Sequence, residues 1–312
     1  MAKKQTVEMT ADGIRYEITS SGDITQNRLF ELLDTWTGGS KEESSRYYFR
    51  GENNFNYHLQ PSLLRPNNYE RLSKKYKTFD PVDLEALLLQ RFKRYTSHIY
   101  HQNSDFSGRN FSDLEMLCLA QHNGLPTLLI DFTLNPLVAI YFAVRSHQYE
   151  DIASLDKTEA ALWVMKLKDK PKREKQTIHL EDAHEQWKRN YTDYRRDRPL
   201  LVVPLAFTHR ISAQAGRFIY AGFLKPIDTG KINKTEQAVD ESVLKPHGST
   251  GGNQKEKEKV EKPWDSLEKW RIPSGEEQRR ELLRTLRFLG VHEGTLLTDL
   301  DGWAKYLKDG NL

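Results

Sequence analysis

The densest apolar run of the chain, Gln121 to Val144 (QHNGLPTLLIDFTLNPLVAIYFAV), is broken by polar residues where a plain core segment would carry none. Leu128, Leu129 and Ile130 predict a short buried strand. Leu137 through Ala143 predict a buried helix, with Asn135 as its cap and Pro136 in its first turn. Asp131, Phe132 and Thr133 then sit where a strand gives way to a helix, a place where a rigid scaffold tends to set binding and catalytic groups.

The same reading extends along the chain. Ile14 to Ile18 predicts an edge strand, after which Asp23 caps a helix whose apolar side is Leu29, Phe30, Leu32, Leu33 and Trp36, ended by Gly38 and Gly39. Tyr47-Tyr48-Phe49-Arg50-Gly51 predicts a strand buried on both faces, with Gly51 marking a bend or a close backbone approach. His58 to Pro66 resembles a loop that brings a second candidate cation, Arg65. Asp80 and Pro81 open a long helix with Leu84, Leu87, Leu88, Phe92, Tyr95 and Ile99 at helical spacing. Ser112-Asp113-Leu114-Glu115 fits a capping box, and the helix it opens should stop at Gly124, delivering Gln121 and His122 beside the central strand.

Beyond the central run, Ala160 to Leu167 and Leu200 to Val203 predict strands, and Lys166 to Glu174 a charged surface loop. Arg210 to Tyr220 is a polar approach that enters a strand through a glycine, with Gln214 and Arg217 as its most notable side chains. Residues 226–262 are poor in apolar residues and read as a flexible insert. Order resumes at Trp264, Trp270 and Ile272, followed by an amphipathic helix from Glu276 to Leu289 and a closing segment from Leu296 to Leu307. The expected organisation is residues 1–44 as a strand and helix packed on the main domain, 45–225 as that domain, 226–262 as the insert, and 263–312 as its helical end.

Composition narrows the picture. A chain of 312 residues with 37% apolar and 29% charged residues can bury a sizeable core under a polar surface. A net charge of +3 permits a nucleotide or nucleic-acid partner without implying one. Cys118 is the single cysteine, so no internal disulfide or thiolate metal cluster is available, and its apolar helical setting predicts a buried structural thiol. No apolar run reaches the ~20 residues of a membrane span, and the start MAKKQTVEMT lacks a signal-peptide core. The expected location is cytoplasmic, with no membrane partner.

Several standard chemistries lack their motifs: there is no P-loop or dinucleotide glycine loop, no GxSxG elbow, no HExxH and no His/Cys spacing suited to zinc. What remains is an arginine at the end of a buried strand, an aspartate and a threonine at a strand-to-helix switch, and a late Gln/Arg strand. Arg50 has two readings, a structural salt bridge and an anion clamp bidentate to phosphate or carboxylate. His122 is either a satisfied structural histidine or a base.

Phe49-Arg50-Gly51 with His58 to Arg65 behind it, Gln121 to Thr127, Asp131-Phe132-Thr133, Asn135-Pro136, Ala139 to Ala143, and Gln214-Ala215-Gly216-Arg217-Phe218 occur in an order that resembles the FRG domain family. The resemblance covers roughly residues 45–225, and Asp299 to Trp303 looks like the family's C-terminal end. The organisation of that family is similar to the arginine-first class of ADP-ribosyltransferases. The resemblance implies an α+β fold with a split, mixed β-sheet of ADP-ribosyltransferase type and flanking helices.

It also implies an NAD-dependent ADP-ribosyltransferase that modifies RNA, DNA or protein, as a bacterial or phage-related toxin or anti-phage defence effector, with a partner protein that neutralises it. NAD would be the substrate and no metal is called for. Carried over, Arg50, Asp131 and Gln214 take the catalytic positions, and Arg50, Gly51, His122, Thr133 and Tyr141 bind the dinucleotide. This sequence departs from the class in having no Glu or Asp between Leu200 and Asp228. Three options stay open: Gln214 orients the ribose without charge, Asp131 supplies the carboxylate, or the protein binds without turnover. The last is the alternative reading, a non-catalytic nucleotide- or nucleic-acid-binding module. The basic runs Arg91 to Arg94 and Arg189 to Arg198 would suit a nucleic-acid acceptor, although a solvated helix face is the plainer reading of the first.

Overall fold

The computed structural model describes residues 6–11, 14–37, 45–102, 111–145, 158–168, 177–179, 200–204, 209–220 and 266–308. Gly38 and Gly39, Arg189 to Arg198, residues 226–262 and Trp264 lie outside the described residues. The fold is α+β, built on a mixed sheet. Its strands are β1 (Thr6–Ala11), β2 (Ile14–Asp23), β3 (Ser45–Glu52), β4 (Leu129–Thr133), β5 (Ala160–Lys168), β6 (Thr177–His179), β7 (Leu200–Val203), β8 (Gly216–Tyr220) and β9 (Ser266–Ile272). They run in the order β1-β2-β9-β5-β3-β4-β8-β7-β6. The β2–β9 and β6–β7 pairs are parallel and the others antiparallel.

The helices are α1 (Gln26–Thr37), α2 (Pro66–Tyr76), α3 (Pro81–Gln102), α4 (Asp113–His122), α5 (Pro136–Val144), α6 (His209–Ala213), α7 (Glu276–Phe288), α8 (Glu293–Leu297) and α9 (Leu300–Lys308), with a 3-10 turn at Ser62–Leu64 before α2. None among the described residues is long and apolar enough to cross a membrane.

Side-chain caps open α3, α4 and α5. The Asp80 carboxylate accepts from the Val82 and Asp83 amides at 2.9 and 3.1 Å. Ser112 and Glu115 form the reciprocal capping box of α4, and Asn135 accepts from the Leu137 amide at 3.0 Å with Pro136 in the first turn of α5. Gly124, with φ +85°, takes the left-handed turn that ends α4, a conformation open to glycine at little cost. Asp23 does not cap α1. It ends β2, and its two oxygens receive Nε and Nη2 of Arg271 at 2.7 and 3.0 Å, clamping β2 to β9. The strand from Ile14 is not an edge either, because β1 and β9 pair with its two sides.

Strand alternation sorts the core into two faces. Phe49 pairs with Val164 and Thr133, Leu162 with Trp270, and Asp131 and Leu129 with Phe218 and Tyr220, so all of these share one face. Over the β3–β5–β9 half of that face lie α1, α5 and α7, with Leu29, Trp36, Ile140 and Leu286 in one cluster. Over the β4–β8–β7 half lie α2, α3 and α4, with Leu72, Leu84, Leu88, Leu117 and Cys118 in another. The opposite face carries Tyr48, Ile130, Phe132, Trp163, Met165 and Ile219. Cys118 is fully buried as expected, and burial pushes its thiol well above its ordinary range. Glu85, buried in α3, ties the two halves of the second cluster together: it accepts from the Leu128 amide at 2.6 Å and the Tyr220 hydroxyl at 3.0 Å. These bonds set the entry of β4 beside β8.

Candidate functional site

Between the two helical layers is a cleft of about 560 Å³, within the usual size of a ligand site. Its floor is β3, β4 and β8, at Phe49 to Glu52, Asp131 to Thr133, Gly216 and Phe218. One wall carries Tyr57, Arg65, Gln121 and His122, and the other Val138, Ala139, Phe142 and Arg145 of α5 and its C-cap together with Ile211 and Gln214.

The sheet makes room for this cleft by coming apart. β3 and β4 are paired at Phe49–Thr133 alone, whereas β3 pairs with β5 from Ser45 to Glu52. Arg50 and Glu52 stand on the opposite side of β3 from Phe49 and Gly51, and the Arg50 guanidinium enters the split. Its Nη1 donates to the Asp131 carbonyl at 2.9 Å, supplying the donor that a paired strand would have given. Nε and Nη2 donate to Glu52 Oε1 at 2.8 and 2.6 Å, and Nη1 lies 3.5 Å from Asp131 Oδ2. Burial works against the Arg50 charge, but Glu52 and Asp131 outweigh it and hold its pKa above the ordinary value.

Gly51 has a steric cause. A Cβ there would overlap the Ala139 carbonyl oxygen and lie 2.7 Å from the Ala143 nitrogen, so the backbone of β3 seats directly on α5. Asp131 is open to the cleft, its side chain 65% exposed. Gln121 donates to its Oδ1, and Gln121 is in turn held by the Thr127 hydroxyl. Thr133 is buried, donates to the Gln214 carbonyl at 2.6 Å and accepts from the Asn135 amide at 3.0 Å. Its hydroxyl therefore fixes the turn into α5 and the segment before β8. The Gln214 amide donates to the Leu296 carbonyl at 3.1 Å, tying the cleft to α8.

Arg50, Gly51, His122, Asp131, Thr133 and Gln214 thus meet on one cleft. Tyr141 does not join them. It is fully buried in the cluster under α1, α5 and α7 and absent from the cleft lining, because the i, i+3, i+4 rule puts Val138 and Phe142 of α5 toward the cleft and turns Tyr141 away. Burial, with Glu293 beside it, raises its hydroxyl pKa.

Two residues of consequence carried no sequence signal of their own. Glu52 is buried and is the anion at the centre of the site: it holds Arg50, lies 3.9 Å from Arg65 and attracts Lys269. Its position two residues after Arg50 on a strand, hence on the same side, was the available clue. Lys269 of β9 donates to the Tyr57 carbonyl at 3.0 Å and lies 4.6 Å from the ring centres of Phe55 and Trp163. Burial pulls its ammonium down to about 8 despite the opposing pull of Glu52.

A pH effect follows with a definite sign. Below pH 8 both the folded and unfolded states hold the Lys269 proton. Between about 8 and the ordinary lysine value of 10.5 the unfolded state alone keeps it, so this group adds stability as pH rises through that window. Urea denaturation from pH 7 to 10 should show wild type gaining on Lys269→Met by on the order of 1 kcal/mol, allowing for screening of a half-buried group. A gap that stays constant or narrows with pH would remove Lys269 as the cause.

Residues 45–152 match the model of the FRG domain family. That span holds β3, α2 to α5 and β4, and so most of the cleft. No curated protein and no solved structure shows a significant match to the chain. The segment similar to the FRG domain carries Arg50-Gly51 and Asp131-Phe132-Thr133.

Proposed function

We propose that the cleft binds NAD and that the protein transfers ADP-ribose from it to a macromolecule. The observation that carries this reading is the meeting of Arg50, Asp131, Thr133 and Gln214 around one cleft at the split between β3 and β4. In such a transfer the bond between the ribose C1′ and nicotinamide breaks, the electron pair leaves with nicotinamide, and C1′ gains oxocarbenium character before the acceptor bonds to it. A fixed carboxylate facing C1′ stabilises that charge, and cations hold the pyrophosphate in place.

The geometry favours one of the open options for the carboxylate. Gln214 has its amide committed to Leu296, and Glu52 is buried against Arg50. Asp131 is the carboxylate that is both oriented, by Gln121 and Arg50, and open to the cleft. In this reading Asp131 is the catalytic residue and Arg65, half exposed on the cleft wall, meets the pyrophosphate. Thr133 and Gln214 are positioning residues that hold the turn behind it.

The experiment is nicotinamide release and label transfer from NAD labelled in its adenylate phosphate, with cell extract as acceptor. Asp131→Asn should slow both by about a hundredfold or more, with a melting temperature within a few degrees of wild type, because the amide keeps an oxygen for Gln121 and Glu52 still neutralises Arg50. Release by wild type at the level of a heat-killed control, or equal release by wild type and Asp131→Asn, overturns the enzymatic reading.

A second reading has its own support. All three Arg50 nitrogens are already engaged, Nε and Nη2 by Glu52 and Nη1 by the Asp131 carbonyl, so Arg50 is a structural ion pair with little left to act on a reacting dinucleotide, which favours binding without turnover. Saturable NAD binding with no nicotinamide release is the result that would select it.

A further inference from the structure

Helix α2 leaves the rim of the cleft. Its N-cap is Arg65, which lines the cleft, and 11 residues later it ends at Tyr76, about 16 Å away at the rise of an α-helix. There it meets α3, and the meeting point is a stack: the Arg91 guanidinium lies 4.8 Å and the Lys75 ammonium 5.3 Å from the centre of the Tyr76 ring. Each helix brings a stripe to this place. On α2 Arg71 and Lys75 are one turn apart, and on α3 Arg91, Arg94, Tyr95 and His98 follow the i, i+3, i+4, i+7 spacing of a single face.

The charges on this surface are not used up within the fold. Lys74 is paired with Glu70 and Lys93 with Asp113, at 2.7 and 2.6 Å. Arg71, Lys75, Lys77, Arg91 and Arg94 have no ion-pair partner among the described residues. The aromatics are equally open: Tyr95 is 67% and Phe79 66% exposed, a cost in apolar surface that an ordinary solvated helix face does not carry.

We infer that the α2–α3 face is a docking surface for single-stranded nucleic acid, leading along α2 to the cleft. Unpaired arginines and lysines follow a phosphate backbone, and exposed tyrosine and phenylalanine rings offer platforms on which unpaired bases stack. A protein partner would bury these rings against apolar side chains, and an acidic peptide would use the cations without the rings. The inference deepens the ADP-ribosyltransferase reading by naming the acceptor class, and rests on that reading only for what happens at the cleft.

Binding without NAD tests the surface alone. The probes are fluorescently labelled 20-nucleotide RNA and DNA of the same mixed sequence, each single-stranded and as a duplex, titrated with the full chain at 50 and 200 mM salt. Saturable binding to a single strand, weakened by salt and at least tenfold tighter than to the duplex, is expected. Arg91→Gln/Arg94→Gln should weaken it at least tenfold and flatten its salt dependence. Tyr95→Ala should weaken it roughly tenfold with the salt dependence kept.

Melting temperatures of the variants, expected within a few degrees of wild type, separate lost binding from lost fold. No binding to either single strand at 50 mM salt, equal binding by wild type and a folded Arg91→Gln/Arg94→Gln, or preference for the duplex overturns the inference. So does label transfer from NAD to proteins of an extract and not to its nucleic acid. Failure of nicotinamide release with single-strand binding intact would instead overturn the enzymatic reading and leave the surface standing.

Discussion

Gly51→Ala is expected to destabilise the fold by about 3 kcal/mol or more, at the upper end of what overpacking costs. The new methyl group would overlap the Ala139 carbonyl oxygen and approach the Ala143 nitrogen at 2.7 Å. Both are backbone atoms of a buried helix, so no side-chain rotation relieves the clash. Either β3 or α5 must move, and both carry cleft residues: Arg50 and Glu52 on the strand, Val138 and Phe142 on the helix. Gly216→Ala is the control, because its methyl group would meet nothing nearer than the Ile211 carbonyl oxygen at 3.6 Å. Urea denaturation of the pair should show a large loss for the first and less than about 1 kcal/mol for the second. Similar values for the two would refute the backbone-contact explanation.

Glu52→Ala is the other large effect, with an expected loss of about 3–5 kcal/mol, the range for removing one partner of a buried ion pair. The Arg50 side chain is 11% exposed, and its Nε and Nη2 both depend on Glu52 Oε1. Without that oxygen the guanidinium keeps only the Asp131 carbonyl and the longer contact to the Asp131 carboxylate. Glu52→Gln, which keeps an acceptor oxygen in place, should lose less than Glu52→Ala. Adding Arg50→Met to Glu52→Ala should restore part of the loss, because the stranded charge is then gone. Denaturant melts of the single and double variants measure this directly. If the double variant is no better than the single, an unpaired Arg50 is not the source of the cost.

These two residues also mark how far local sequence carries. The close approach at Gly51 was legible from a glycine directly after the arginine that ends an aromatic run, and the side-chain caps of α3, α4 and α5 were legible because each is written within four residues. Strands β3, β5, β7 and β8 follow from apolar runs bounded by breakers. Local pattern failed where the deciding partner is remote. Asp23 looked like a cap because Asp before a helix favours one, but Arg271, far along the chain, claims it. The strand β9 and helix α2 carry no clear local pattern, because Ser266–Ile272 and Pro66–Tyr76 are charge-rich and make sense only against the elements they cover. Tyr141 looked like a site residue from its place in a motif, and helix rotation turned it into the core.

By itself the sequence determined the elements of the central run, the strand-to-helix switch at Asp131 to Thr133 and the buried character of Cys118, since all of these rest on periodicity, caps and apolar content. The tertiary structure alone decided that β3 and β4 share a single pair at Phe49–Thr133, that Arg50 fills the resulting split, and that Glu52 is its principal anion. Strand register and ion pairing are settled by atoms brought together from distant parts of the chain. A buried arginine takes whichever carboxylate best offsets its lost hydration, and that choice exists only once the strands and helices are in place.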